Sequence, residues 1–284
     1  MTSLKTSLVL LILILGCNLH ILAQEAKEPP KMGWINSIIG SLNLTQTSFD
    51  NWQQGGENSV SWQLNLNGKF ENNQERTNWT NTGKISYGKI KVSDAESRKS
   101  IDEIKLESVL TYLLNLYVNP YMAATAETQF TKGYKYTEAG KFVVSNFLDP
   151  GYFTQSMGIG FTPIKFVKTR LGAALKETVS DRYGYANNPN TETLETFKTE
   201  IGSESVTDLE SKLAENILLT SKLELFSNLK ASNEIDVRWD TILAAKVSNF
   251  VDVNFNIKLF YDRDISTKRQ LKQALAMGLT YTFL

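Results

Sequence analysis

Apolar and polar residues alternate one by one over much of this chain, and the cleanest run sets Val60, Trp62, Leu64, Leu66 and Phe70 against Ser59, Ser61, Gln63, Asn65, Asn67 and Lys69. A strand turns successive side chains to opposite faces, so each such run predicts a strand with one greasy and one polar side. The same period recurs where Ile235, Val237, Trp239, Leu243 and Val247 oppose Asp236, Arg238, Asp240 and Lys246, and where Val253, Phe255, Ile257 and Leu259 oppose Asn254, Asn256 and Lys258. Less tidy strands are predicted over Ser41–Gln46, Trp79–Tyr87, Ile104–Leu116, Met122–Phe130, Phe153–Phe161, Val167–Leu175, Thr207–Leu213 and Ile217–Leu225. The last run alternates Leu275, Met277, Leu279, Tyr281 and Phe283 with Ala276, Gly278, Thr280 and Thr282, before Leu284. The count is about twelve, an even number, as in bacterial single-chain barrels.

The connections also alternate. Tight ones are expected at Glu71–Arg76, Val118–Pro120, Thr162–Phe166, Ala214–Asn216 and Ser248–Phe250. Longer ones are expected at Thr47–Asn58, Lys89–Ile101, Thr131–Gly151, Ser180–Gly202, Ser227–Asn233 and Asp262–Lys268. Short turns at one end and long loops at the other are the habit of outer-membrane barrels, and both ends of the barrel then fall on the short-turn side. Tyr and Trp recur near strand ends (Trp34, Trp79, Tyr87, Tyr112, Tyr117, Trp239, Tyr261, Tyr281), where interfacial girdles sit. The predicted fold is therefore all-β: a transmembrane antiparallel up-and-down β-barrel, in preference to a soluble sandwich with the same alternation.

Residues 1–23 read as a signal peptide, with Lys5 before an apolar core of Leu8–Leu15 and a cleavage site after Ala23; lipidation of Cys17 is the competing reading. Residues 24–32 form a short periplasmic leader and 33–284 a single outer-membrane barrel domain. No other stretch approaches the ~20 apolar residues of a transmembrane helix. The only Cys (Cys17) and the only His (His20) lie inside the signal, so cleavage removes thiolate, Ser-His and Cys/His metal chemistry together. Charge is balanced, 30 Lys plus Arg against 30 Asp plus Glu, so the field that gathers nucleic acid is missing. No cofactor or metal is called for.

The block Asn51-Trp52-Gln53-Gln54-Gly55-Gly56-Glu57-Asn58 resembles a domain-of-unknown-function family of predicted Gram-negative outer-membrane β-barrel proteins. Lys99-Ser100-Ile101-Asp102, Thr128-Gln129-Phe130, Asn146 to Tyr152, Tyr261-Asp262 and Gly278 to Tyr281 fit it in the same order. The resemblance implies a barrel without catalytic residues. Within the loop motif, Asn51, Trp52, Gly55, Gly56, Glu57 and Asn58 read as a hairpin turn anchored by Trp52, with ligand contact as the alternative.

Ionisable residues on the polar faces are candidates for the lumen lining and its selectivity: Lys69, Lys105, Glu107, Lys168, Arg170, Lys222, Glu224, Asp236, Arg238, Asp240 and Lys258, with Glu127, Lys176, Asp208 and Glu210 beside them. The function expected is a narrow channel, or a barrel that transports or binds small solutes. The alternatives are a structural or surface-interaction barrel acting through its long loops and, third, a His-independent enzyme using Asp208-Glu210 or Asp236-Asp240. The expected partners are the lipid bilayer, lipopolysaccharide, and the barrel-assembly machinery engaged through Leu275–Phe283, and the expected location is the bacterial outer membrane.

Overall fold

The computed structural model describes residues 31–49, 57–115, 118–187, 193–230, 235–263 and 265–284. The expected signal segment with Cys17 and His20, the expected leader up to Pro30, the Asn51–Gly56 part of the loop motif, and Tyr117 lie outside the described residues. Every helix or strand among the described residues is a strand: β1 Gly33–Thr47, β2 Ser59–Asn73, β3 Thr77–Val92, β4 Arg98–Tyr112, β5 Val118–Thr128, β6 Gly133–Thr137, β7 Gly140–Ser145, β8 Gly151–Ile164, β9 Val167–Val179, β10 Phe197–Ala214, β11 Ile217–Asn228, β12 Ile235–Lys246, β13 Val251–Tyr261 and β14 Gln270–Thr282. All but β6 and β7 close into one antiparallel barrel, in the order β1-β14-β13-β12-β11-β10-β9-β8-β5-β4-β3-β2. Each of the twelve predicted strands corresponds to a strand of this wall.

The wall is inverted relative to a soluble core. Leu64, Leu106, Met122, Met157, Leu171, Ile201, Leu275 and Met277 are all exposed, on strands whose alternate positions carry the charges. Burying an apolar side chain contributes about 1.5–3 kcal/mol, so a closed barrel that leaves this many outside has lipid as their solvent. Hydroxyls that share the outer face are satisfied there: Ser221 and Thr241 lie 2.8 Å apart, Thr169 and Thr207 3.2 Å, and the Trp79 indole donates to Ser108 Oγ at 3.0 Å. Hydrocarbon offers no other partner. Trp34 and Trp79 meet at 6.0 Å at the short-turn end of the wall.

The closing pair is brief. β1 registers with β2 from Gly33↔Asn73 to Thr47↔Ser59, but with β14 only from Ile39↔Thr282 to Asn43↔Gly278. Phe283 N–H then donates to Ile38 O at 2.8 Å, and the Phe283 ring lies against Gly40, where an added Cβ would stand 3.0 Å from it. Phe283 therefore covers the outer face, as alternation requires.

Several boundaries differ from the sequence reading. The expected Lys89–Ile101 loop is mostly ladder, because β3 continues to Val92 and β4 starts at Arg98, with a bulge at Gly88/Lys89. Backbone pairing persists there after the apolar alternation has stopped. The expected Thr131–Gly151 loop contains the β6–β7 hairpin, turned at Gly140, whose φ of 127° a side chain would disfavour. Val118–Pro120 is not a turn but the start of β5; Pro is tolerated near a strand's beginning, where few ladder donors are lost. β10 reaches back to Phe197, well before the predicted Thr207. Its outer face holds Ser203 and Ser205, and its inner face Glu200 and Glu204, so neither face reads as apolar.

Candidate functional site: a charge-laced lumen and its rim

Inward positions follow from the ladders. Asp208↔Lys222↔Asp240↔Lys258 and Glu224↔Arg238 stand side by side across β10, β11, β12 and β13, so all share the inner face. Their partners come from the facing wall. Lys105 of β4 meets Glu224 of β11 at 2.8 Å, Arg238 of β12 meets Glu127 of β5 at 2.6 Å, Lys258 of β13 meets Glu103 of β4 at 2.6 Å, and Lys84 of β3 meets Asp240 of β12 at 3.1 Å. In the barrel order each of these pairs joins strands five steps apart, one short of diametrically opposite. A circular ring of this size would hold facing backbones about 24 Å apart, whereas a lysine and a glutamate reach about 14 Å together, so the section is flattened where they meet.

Glu107 is the hub of the network, accepting from both Arg170 of β9 and Lys222 of β11. Lys222 also lies 3.7 Å from Asp208 and 3.8 Å from Glu224, and Lys258 lies 3.3 Å from Asp240. Toward the long-loop end, Lys176 gathers Asp236 at 2.5 Å, Asp262 at 3.0 Å and Glu200 at 3.6 Å. The Arg238 guanidinium is stacked between Tyr152 at 4.7 Å and Phe260 at 5.2 Å, a placement its planar, weakly hydrated cation suits. Two inner glycines permit this crowding: a Cβ on Gly202 would meet the Phe226 ring at 2.7 Å, and one on Gly172 the Tyr121 hydroxyl at 2.7 Å. The space left between Lys105, Glu127, Tyr152, Glu224, Phe226 and Arg238 is a cavity of about 50 Å³. That is room for a few waters, far below the ~300 Å³ at which drug-sized pockets begin.

Of the residues singled out from sequence, Lys105, Glu107, Arg170, Lys222, Glu224, Asp236, Arg238, Asp240 and Lys258 enter this network. Lys69 and Lys168 stand apart from it: Lys69 pairs with Glu71 two residues along its own strand at 2.8 Å and is half exposed, and Lys168 is exposed near the start of β9. Lys84, Glu103, Glu200 and Asp262 were not singled out, although Lys84 and Glu103 sit one place from Ile85 and Ile104 and alternation would have turned them inward. Of the loop motif, Glu57 is exposed and Asn58 accepts Phe49 N–H at 2.7 Å, a turn contact.

A second cluster lies at the long-loop rim, on segments where the family resemblance was noted. The Asp102 carboxylate, 1% exposed, accepts Phe130 N–H at 2.7 Å, Thr131 N–H at 2.9 Å, the Thr131 hydroxyl at 2.8 Å and Lys99 Nζ at 2.9 Å. Asp149 accepts the Ser180 hydroxyl at 2.5 Å and Arg182 N–H at 3.0 Å, while Tyr185 donates to Val144 O at 3.1 Å. Burial, helped by Asp149, holds the Tyr185 phenol above its ordinary pKa. Arg98 lies over the Tyr136 ring at 4.2 Å, and Lys141, which covers the Tyr134 ring inside the hairpin, pairs with Glu96 at 2.5 Å, so the β6–β7 hairpin is strapped to the β3–β4 end. Asp102→Asn should free the strap: one amide oxygen cannot replace two carboxylate oxygens, and a buried donor left unpaired costs about 1–3 kcal/mol. The expected outcome is faster protease cleavage between residues 129 and 150 with the barrel intact; an unchanged cleavage rate would show the strap is held elsewhere.

Comparison with known proteins bears on the same architecture. A family model described as a protein of unknown function (DUF3078) matches residues 44–134, and a second, described as a protein of unknown function, DUF481, matches residues 152–283. Both halves of the barrel match families of unknown function. The two matches leave residues 135–151, most of the β6–β7 hairpin and the rim loop, between them, and together with the closed barrel they support the resemblance to an uncharacterised barrel family. No match was found among curated proteins. Among solved structures the chain is similar to the translocator domain of autotransporter NalP from Neisseria meningitidis (10% identity, 97% of each chain, TM-score 0.38). It is also similar to the COG4313 outer membrane channel from Pseudomonas putida F1 (10% identity, 92% of this chain and 98% of that one, TM-score 0.41) and to the NanC porin (6% identity, 87% and 98%, TM-score 0.38).

Proposed function

We propose that this protein is an outer-membrane channel whose charged lumen is held narrow by ion pairs between facing walls, and that it passes ions or small polar solutes when those pairs exchange partners. The observation that carries the reading is the set of pairs Lys105–Glu224, Arg238–Glu127, Lys258–Glu103 and Lys84–Asp240, each spanning the lumen. Charges are a poor way to fill a barrel for stability alone, because well-packed apolar residues in place of a buried ion pair are often neutral or better. Charges of both signs that can trade contacts with water and solute are what a selective path uses. Of the carboxylates that suggested an enzymatic reading, Asp236 is bound by Lys176, Asp240 by Lys84 and Asp208 lies 3.7 Å from Lys222, which suits a lumen lining, while Glu210 is exposed.

The second reading is a structural barrel that works through its surface, and the strapped rim around Asp102 and Asp149 favours it. Single-channel recording in a planar bilayer separates the two. The channel reading expects a small, steady conductance that turns more cation-selective in Lys258→Glu, since that change places a carboxylate beside Glu103 and Asp240. Silence from both wild type and variant, with both correctly folded, leaves the surface reading.

A further inference from the structure

On the outer wall, β2 and β3 carry a vertical series whose chemistry changes with height. Trp79 stands at the short-turn end against Trp34, Ile85 is exposed above it, and Tyr87 stacks with Trp62 at 5.8 Å. Register between β2 and β3 is unbroken from Asn73↔Asn78 to Ser59↔Val92, so Lys89 and Lys91 continue on the same outer face, opposite Trp62 and Val60. At ~3.3 Å per residue and a tilt of ~40°, Tyr87 lies about 20 Å above Trp79, and the two lysines about 25 and 30 Å above it. The apolar band of such a barrel is ~25 Å tall, so the aromatic pair marks its upper edge and the lysines stand at the level of lipid headgroups. Lys89 Nζ approaches the Tyr87 ring, 6.0 Å from its centroid, and neither lysine is joined to a carboxylate among the described residues. The next cation across the ladder, Lys99, has its charge answered by Asp102.

We infer that this patch is a binding site for the phosphate of an anionic lipid in the leaflet on the long-loop side. Trp62 and Tyr87 face the top of the acyl chains, and Lys89 and Lys91 supply the cations to the headgroup. The inference rests on the barrel spanning a membrane and does not depend on conduction. Each lysine near a charged membrane surface adds a several-fold preference, so the pair together is expected to give roughly ten- to thirty-fold. The test uses the whole protein in non-ionic detergent, titrated with short-chain phosphatidic acid, with phosphatidylcholine of the same chains, and with inorganic phosphate, and read by native mass spectrometry. Phosphatidic acid should be retained over phosphatidylcholine, and Lys89→Gln/Lys91→Gln should lose that preference ten- to thirty-fold while Lys268→Gln/Arg269→Gln keeps it. Equal retention by the two double variants overturns the site, as does displacement of the lipid by equimolar inorganic phosphate, which would make it a site for the free anion. A wild type that fails to insert into vesicles overturns the membrane reading and the site together. Insertion without any preference for phosphate overturns the site alone.

Discussion

Arginine in place of Leu66 is expected to destabilise the folded barrel by about 2–4 kcal/mol, and arginine in place of its neighbour Asn65 by well under half of that. Leu66 lies midway along β2 on the face that carries Leu64 and Phe70, opposite Ile85 of β3, so a guanidinium there enters the lipid near mid-depth. Asn65 faces inward, where Gln63 donates to its Oδ1 at 2.7 Å and it donates to Ser41 Oγ at 3.2 Å, in a lining that already tolerates cations. The comparison reads out as the difference in urea-induced unfolding of the two variants in lipid vesicles. Equal costs would mean that the two faces have been assigned the wrong way round.

Removing the hub charge should be as severe. Glu107→Gln leaves Arg170 and Lys222 without their shared carboxylate, and breaking a buried pair from one side costs about 3–5 kcal/mol, because a buried charge is left uncompensated. Lys222 retains Asp208 and Glu224 within 3.8 Å, whereas the other contacts of Arg170 are weaker, so the loss falls chiefly on Arg170. A double-mutant cycle with Arg170→Gln checks this. The double variant should recover part of the stability lost by Glu107→Gln, and strict additivity would show that the two groups do not depend on each other.

Much of this was legible in the chain because a strand's period is two and a lipid-facing wall needs the same polarity at every second place. Where that demand was strong, as in Val60–Phe70 and Leu275–Phe283, the strand and its faces were readable residue by residue. Where it was weak, boundaries slipped. β10 hides its first half because Gly202 and Glu204 face inward while Ser203 and Ser205 face outward, and β3 and β4 continue beyond the band on backbone pairing alone. The inward charges were mostly found by alternation, but their partners were not, since Lys84 and Asp240 are separated by more than half the chain and meet only once the wall has closed. The Asp102 strap left no periodic trace at all: it is one carboxylate replacing a ladder, and only its recurrence in a family pattern marked it.

The brevity of the β1–β14 junction gives the cylinder a line of least resistance. Ladder bonds there run only from Asn43↔Gly278 down to the Phe283–Ile38 contact, while Thr45, Gln46 and Thr47 on one side and Leu271, Lys272 and Gln273 on the other stand exposed above them. Amide protons along this line should exchange with solvent ahead of those in the fully zipped β2–β3 pair, since local opening begins where the fewest bonds must part. An opening of that kind leads sideways, from the polar interior straight to the surrounding lipid, so a solute inside this barrel would have a second exit besides its two mouths.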